Sequence, residues 1–345
     1  MTDVPKFPDV FAELSRPEGI GAPTVRRVFD AIFAGAWTPA QIGAFLACLR
    51  LSSDSAEVIA AAASAMRAAM VRVPHDLDVV LDTCGTGGDG SGTLNLSTGA
   101  AVIAAAAGVP VAKHGNRAAT SRSGSADVLE ALGVPLDVPA AAQARVLAKA
   151  GIAFLFAQAH HPAMKHAMPV RRELGIRTLF NCLGPLSNPA GATHQLLGAF
   201  DHSMRPVLAG ALRDLGTRRA WVLRSDDGMD ELSPHAVTRI TELDGGKLTE
   251  LALAPEDFGL PRSPEGAIRG ADPADNAAVF SKVLAGEPHP SRDAFVLNAA
   301  GALVVALGLE PKAAALRARE VLENGAAQRV LENWSSAARA ERTPP

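Results

Sequence analysis

Five glycines stand within Gly85-Thr86-Gly87-Gly88-Asp89-Gly90-Ser91-Gly92, after the apolar run from Asp78 to Thr83. Thr93, Leu94, Asn95 and Leu96 then lead to a hydroxyl pair, Ser97-Thr98. A plain strand-to-helix turn needs one glycine or two. Five allow a loop whose backbone N–H groups line a concave surface. A helix starting near Ser97-Thr98 adds unpaired N–H groups and a partial positive charge, so the stretch predicts a phosphate site. Gly85, Gly87 and Gly90 also satisfy G-x-G-x-x-G, but no helix begins at once. Val109, Pro110 and Val111 stand where the dinucleotide fingerprint wants an acid. The lysine-ended phosphate loop is absent as well.

Three further clusters could join that chemistry. Lys113, His114, Arg117 and Arg122 are mixed with Gly115, Asn116, Ser121, Ser123 and Ser125, after a strand candidate at Val109–Ala112. Alone, this is a solvated basic loop or an anion site; beside the glycine loop the anion site gains, and the ligand would carry phosphates at two places. Asp226, Asp227, Asp230 and Glu231 follow another strand candidate, Ala220–Arg224. Such acids are ordinarily surface charge, but at a strand end opposite phosphate loops they suit Mg²⁺, which takes carboxylates and substrate phosphates together. His160-His161 invites zinc. Chain neighbours rarely face one centre and no H-E-x-x-H or cysteine partner is present, so structural histidines are favoured. One arginine of the Arg171-Arg172 pair can hold a substrate carboxylate with its planar fork. No serine or cysteine has a triad or elbow context, so no covalent nucleophile is expected.

Helices and strands must position these groups. Thr38-Pro39-Ala40-Gln41 is a helix start, with Ile42, Phe45, Leu46 and Leu49 on one face. Asp54 with Glu57 is expected to start the next helix, and no strand pattern precedes Val71. Beyond it, strands at Asp78–Thr83, Gly108–Ala112, Ala153–Ala157 and Ala220–Arg224 alternate with helices at Ser97–Ala107, Ala126–Leu132 and Val138–Ala150. Asp244-Gly245-Gly246 sits between two strand candidates as a hairpin turn. The fold class is therefore α/β. A small N-terminal helical domain, residues 1–72, precedes a larger α/β domain, residues 73–345, with a mixed, mostly parallel central sheet covered by helices.

The 345 residues carry a net charge of −3, with no basic excess for a nucleic-acid backbone. No signal segment is evident, and no apolar run reaches the roughly 20 residues of a membrane span. Three dispersed cysteines, Cys48, Cys84 and Cys182, fit a reduced cytoplasmic setting.

GTGGDG with NLST, KHGNRAATSRSGSADVLEALG, HHPAMKHAMPVRRELGIRTLFNCLGPLSNPAG and DELSPH, in that order, together resemble the anthranilate phosphoribosyltransferases of tryptophan biosynthesis. The helical start and LNAAGAL, Leu297 to Leu303, extend the likeness over nearly the whole chain. The resemblance implies transfer of the phosphoribosyl group of phosphoribosyl pyrophosphate to the amine of anthranilate, which makes residues 73–345 a phosphoribosyl-binding domain. It implies Mg²⁺, with two ions per subunit, and a homodimer formed through the helical domain, with residues near 163–185 packing back on that domain. Carried over residue by residue, it assigns Gly85, Gly88, Asp89, Thr93, Asn95, Leu96, Ser97 and Thr98 to the donor. Lys113, His114, Gly115, Asn116, Arg117, Ala118, Ala119, Thr120, Ser121 and Ser125 wrap the donor's phosphates and ribose. Gly85, Asn116 and Arg171 contact anthranilate; Ser97, Asp230 and Glu231 bind metal. Two alternatives stay open: a pyrimidine-nucleoside phosphorylase, and a nucleic-acid-binding relative that has lost catalysis.

Overall fold

The computed structural model describes residues 4–51, 55–118, 122–264 and 266–342; Asp54, Ala119, Thr120 and Ser121 therefore lie outside the described residues. The chain opens with four helices, α1 (Phe7–Leu14), α2 (Ala22–Phe33), α3 (Pro39–Leu51) and α4 (Ala56–Ala69). The expected box at the start of α3 forms: Thr38 Oγ1 accepts from Gln41 N at 3.3 Å, and Gln41 Oε1 accepts from Thr38 N at 2.9 Å. The cap of α4 is Ser55, whose Oγ accepts from Val58 N. Ile42, Phe45, Leu46 and Leu49 of α3 are buried with Val25, Val28, Phe29 and Ile32 of α2. Phe29 meets Phe45 and Phe180 edge-on.

Seven strands follow: β1 (Leu81–Gly85), β2 (Val111–Gly115), β3 (Ile152–Phe156), β4 (His194–Gly198), β5 (Arg219–Ser225), β6 (Thr238–Asp244) and β7 (Lys247–Leu253). Their order is β3-β2-β1-β4-β5-β6-β7. The first five are parallel, and β6 and β7 add antiparallel on one edge. The β6–β7 turn needs positive φ at two residues in a row, which Gly245 and Gly246 supply at 55° and 88°.

The remaining helices are α5 (Leu96–Ala106), α6 (Ser125–Ala131), α7 (Gln143–Ala150), α8 (Ala157–His160), α9 (Met168–Leu174), α10 (Phe180–Leu183), α11 (Met204–Asp214), α12 (Pro273–Leu284), α13 (Arg292–Leu307), α14 (Pro311–Glu323) and α15 (Ala326–Ala340). One core joins α5, α13, α14 and α15 to the sheet. A second joins α2, α3 and α4 to α11, to Ala167, Val170, Leu179, Phe180 and Leu183, and to Leu197, Ala220 and Val222 of the sheet. Among the described residues, no single helix is long and apolar enough to cross a membrane.

Two expectations about strands need correction. The second strand begins at Val111, just past Pro110, which has no N–H to give a ladder, and it continues through Lys113 and His114 to Gly115. Lys113 and His114 are thus buried strand residues rather than loop residues. The central strand β4 has no counterpart among the expected strands, because His194 and Gln195 break its apolar pattern. Both are buried, and Gln195 Nε2 donates to the Pro185 carbonyl at 2.6 Å.

Candidate active site

The strand order reverses between β1 and β4, which opens a crevice beyond their carboxyl ends. Gly85 and Gly198 are register partners at those two ends. A Cβ on Gly85 would lie 2.5 Å from Asp230 Oδ2, and one on Gly198 would run into the Asp230 carbonyl. The paired glycines therefore let the acidic segment that follows β5 cross the switch point.

The glycine loop then curls around these acids. Gly87, Gly88, Gly90 and Gly92 all have positive φ, the backbone form that side chains disfavour. Gly87 N donates to Asp230 Oδ2 at 3.2 Å, and Asp230 N reaches Asp89 Oδ2 at 3.5 Å. The loop is pinned below by Leu94 N on the Ile268 carbonyl and Gly270 N on the Gly92 carbonyl, beside a bridge between Thr93 and Arg269. Helix α5 begins at Leu96, and its second amide, Ser97 N, donates to Glu231 Oε1 at 3.2 Å. Glu231 thus accepts one of the N–H groups left unpaired at the start of the helix.

Those acids sit in an unusual field. Burial first, then the charge of Asp89, pushes Asp230 up to about 7. Burial first, then Asp230, pushes Glu231 up to about 8. Glu231 Oε2 is buried with no partner among the described residues. Two adjoining carboxylates short of positive charge, one with an orphaned oxygen, are a donor set for a hard cation. Among the described residues no three His, Cys, Asp or Glu side chains converge, so a cation held here would draw other oxygens from Ser97, water or a phosphate ligand. The Lys113 ammonium donates to the Thr83 carbonyl at 2.5 Å and approaches Ser97 Oγ at 3.5 Å.

His114 N donates to the buried Asp82 carboxylate at 3.0 Å, and Asn188 Nδ2 donates to its other oxygen at 2.8 Å. His114 Nδ1 lies 3.0 Å from the Gly184 carbonyl, so it carries the proton. Its Nε2 then accepts from His161 Nε2 at 3.1 Å. Burial lowers all three histidines, His161 to about 4, and His160 Nδ1 is tied to the Val71 carbonyl. His160 and His161 each spend one ring nitrogen on a partner within the protein, the Val71 carbonyl and His114.

The basic segment is closed at its neck by Asp127, whose Oδ2 accepts from Ala118 N and Gly124 N, both at 2.9 Å. Ser125 Oγ donates to the Asn116 carbonyl at 3.3 Å, and Asn95 Nδ2 to the Ser123 carbonyl at 3.1 Å. The Arg117 guanidinium rests on Asp127 and Glu130. Leu96 and Thr98 are fully buried, and Leu96 N is spent on the Leu94 carbonyl at 2.7 Å. On α9, Arg171 lies 5.3 Å above the Phe180 ring. Burial lowers its pKa, and among the described residues no carboxylate pairs with it.

Two residues of the site lie inside the family motifs but have no local pattern that singles them out. Asp127 reads as an ordinary first-turn acid of α6. Arg177, alone in a Gly-Ile-Arg-Thr connection, donates to the Gly87 and Gly88 carbonyls at 3.1 and 3.3 Å.

Residues 77–328 match the glycosyl transferase family, a/b domain, and residues 13–70 match the helical bundle domain of that family. The anthranilate phosphoribosyltransferase of Methylobacterium radiotolerans is 51% identical over 308 residues, covering 89% of each chain. That of Parvibaculum lavamentivorans is 47% identical over 336 residues, 96% of each chain. The chain belongs to the anthranilate phosphoribosyltransferase family. Solved structures of the family share its fold. The enzyme from Thermus thermophilus is 43% identical with a TM-score of 0.88, over 93% of this chain and 96% of that one. The enzyme from Saccharomyces cerevisiae, solved in complex with PRPP and Mg, is 27% identical with a TM-score of 0.89, over 97% and 98%. Membership explains the architecture: a helical part, a mostly parallel sheet, and a switch point where the family motifs GTGGDG, NLST, KHGN and DELSPH meet.

Proposed function

We infer that this chain transfers the 5-phosphoribosyl group of phosphoribosyl pyrophosphate to the amine of anthranilate, releasing pyrophosphate. The observation that carries this is the meeting of the glycine loop, the α5 N-terminus and the Asp230–Glu231 pair at one strand-order reversal. The donor lies against Gly85, Gly88, Asp89, Thr93 and the Asn95–Thr98 backbone, with the Lys113–Ser121 segment and Ser125 around its phosphates and ribose. Asp230, Glu231 and Ser97 hold Mg²⁺, two ions per subunit, which would offset the negative charge of the pyrophosphate. Arg171 grips the anthranilate carboxylate, with Asn116 and Gly85 lining the same pocket.

Anthranilate's aromatic amine is hardly basic and reaches the sugar carbon as a neutral nucleophile. The C–N bond forms as the C1–O bond to pyrophosphate breaks, and the amine proton is lost afterwards to solvent. The chain supplies alignment of the two reacting atoms and preorganised N–H dipoles at the leaving group. No side chain is asked to form a covalent intermediate.

The test follows loss of anthranilate fluorescence on adding donor and Mg²⁺. Signal loss that needs both and stops with chelator supports the transfer, whereas turnover of thymidine with phosphate would replace it by a nucleoside phosphorylase. Arg171→Ala is expected to raise the KM for anthranilate about tenfold while the donor KM holds, the pattern of a lost binding contact. Equal rises in both would remove Arg171 from the acceptor pocket.

We further propose the boundary between helical and α/β domains at residues 72 and 73, a cytoplasmic location, and no nucleic-acid partner. A homodimer through the helical domain is supported by exposed Val4, Phe11 and Leu51 on that part of the chain. Phe11→Asp with Leu51→Asp should shift light-scattering mass toward the monomer by weakening association about tenfold or more. An unchanged dimer would place the interface elsewhere.

A further inference from the structure

The segment that leaves α9 carries Arg177 across to the glycine loop. Its guanidinium lies 4.2 Å above the centre of the Phe200 ring, a stacked cation that is held in place. From there Nη2 donates to two consecutive carbonyls, Gly87 O at 3.1 Å and Gly88 O at 3.3 Å. In a trans peptide the carbonyl of one residue and the N–H of the next point to opposite sides. With both carbonyls turned to Arg177, the N–H groups of Gly88 and Asp89 face the other way. Among the described residues neither N–H has a protein acceptor.

These consecutive amides, set by left-handed glycines at φ 67° and 75°, stand side by side as unspent donors suited to an anion. A Cβ on Gly88 would overlap the Arg177 guanidinium, so the close approach depends on glycine. Arg177 Nη1 is buried without a partner among the described residues.

We propose that Arg177 is a positioning residue for phosphoribosyl transfer: it holds the Gly87 and Gly88 carbonyls on its own side, so that the amides of Gly88 and Asp89 are presented to the donor's phosphates. The inference rests on the transfer reading above and names what sets the geometry of its donor grip. Arg177 belongs to the stretch that packs with the helical part, between α9, which bears Arg171, and α10. It therefore also ties the donor loop to the acceptor side of the crevice.

Calorimetric titration of phosphoribosyl pyrophosphate with Mg²⁺, and of anthranilate alone, tests this on the wild type, Arg177→Gln, Arg177→Lys and Phe200→Leu. Arg177→Gln is expected to weaken the donor about tenfold or more and to leave anthranilate affinity unchanged. Arg177→Lys, which keeps one cationic donor, should recover part of the loss. Phe200→Leu removes the platform and should move donor affinity in the same direction, which keeps the test open should Arg177→Gln fold poorly. Wild-type donor affinity in Arg177→Gln, or in Phe200→Leu where it stands in, overturns the proposal. So does an equal loss for both substrates. A wild-type chain that binds no donor would overturn the transfer reading instead.

Discussion

Replacing Asp230 by Asn together with Glu231 by Gln is expected to lower turnover about a hundredfold or more, with the residual rate indifferent to Mg²⁺. The expectation rests on position. The two carboxylates lie under the glycine loop and the α5 N-terminus, and one oxygen of Glu231 has no partner among the described residues. Steady-state rates across a Mg²⁺ titration decide it: a normal rate at limiting Mg²⁺ would remove the pair from the metal site.

The same pair should also mark the stability of the metal-free protein. Glu231 is held at about 8 in the fold, against an ordinary value of 4.5. Its folded pKa is raised, so the folded state keeps a proton that the unfolded chain has already lost. Stability from this group is complete below about 4.5 and drains away as pH climbs to about 8. Asp230, held at about 7, adds a loss in the same direction. Glu231→Gln should therefore raise the Tm of the chelator-treated protein at pH 8 by about 3 °C or more, with no change near pH 4. A Tm gain of equal size at both pH values would show that the carboxylate is not held protonated.

The second large effect concerns a residue with no side chain. Gly198→Ala is expected to destabilise the protein by about 2–3 kcal/mol and to abolish most activity in what remains folded. A methyl group there meets the Asp230 main chain, which cannot rotate away as a side chain can. Gly85→Ala meets the Asp230 carboxylate tip at 2.5 Å and should be milder in stability, because that group can turn aside. Denaturant unfolding of the two variants settles the order. Equal stabilities would mean that the acidic segment shifts freely and that the glycine pair does not set its place.

Much of this site was legible before any coordinates. Glycine spacing announced an open, irregular loop because left-handed backbone is open almost only to glycine, and Gly87, Gly88, Gly90 and Gly92 all adopt it. The capping pair Thr38–Gln41 and the Gly245-Gly246 turn were equally local and formed as expected. Less local features were hidden. The strand β4 carries a buried polar residue, Gln195, whose partners, Pro185 and Cys84, come from other segments. The extension of β2 over Lys113 depends on a carbonyl of β1, Thr83, to receive a buried ammonium.

By itself the sequence determined the groups on offer: a glycine loop, an acidic pair, arginines, and motifs whose order marks the family. Each of these follows from residue type and short-range spacing, where backbone freedom and charge act directly. Only the tertiary structure decided which groups meet. It set Asp230 over Gly85 and Gly198, gave Glu231 to the α5 N-terminus, turned Arg117 onto Asp127 and Glu130, and laid Arg177 across the Gly87 and Gly88 carbonyls. The bond from Gly87 to Asp230 alone joins residues 143 positions apart in the chain. These pairings arise from strand order and from the packing of the helical part on the sheet, which no local pattern encodes.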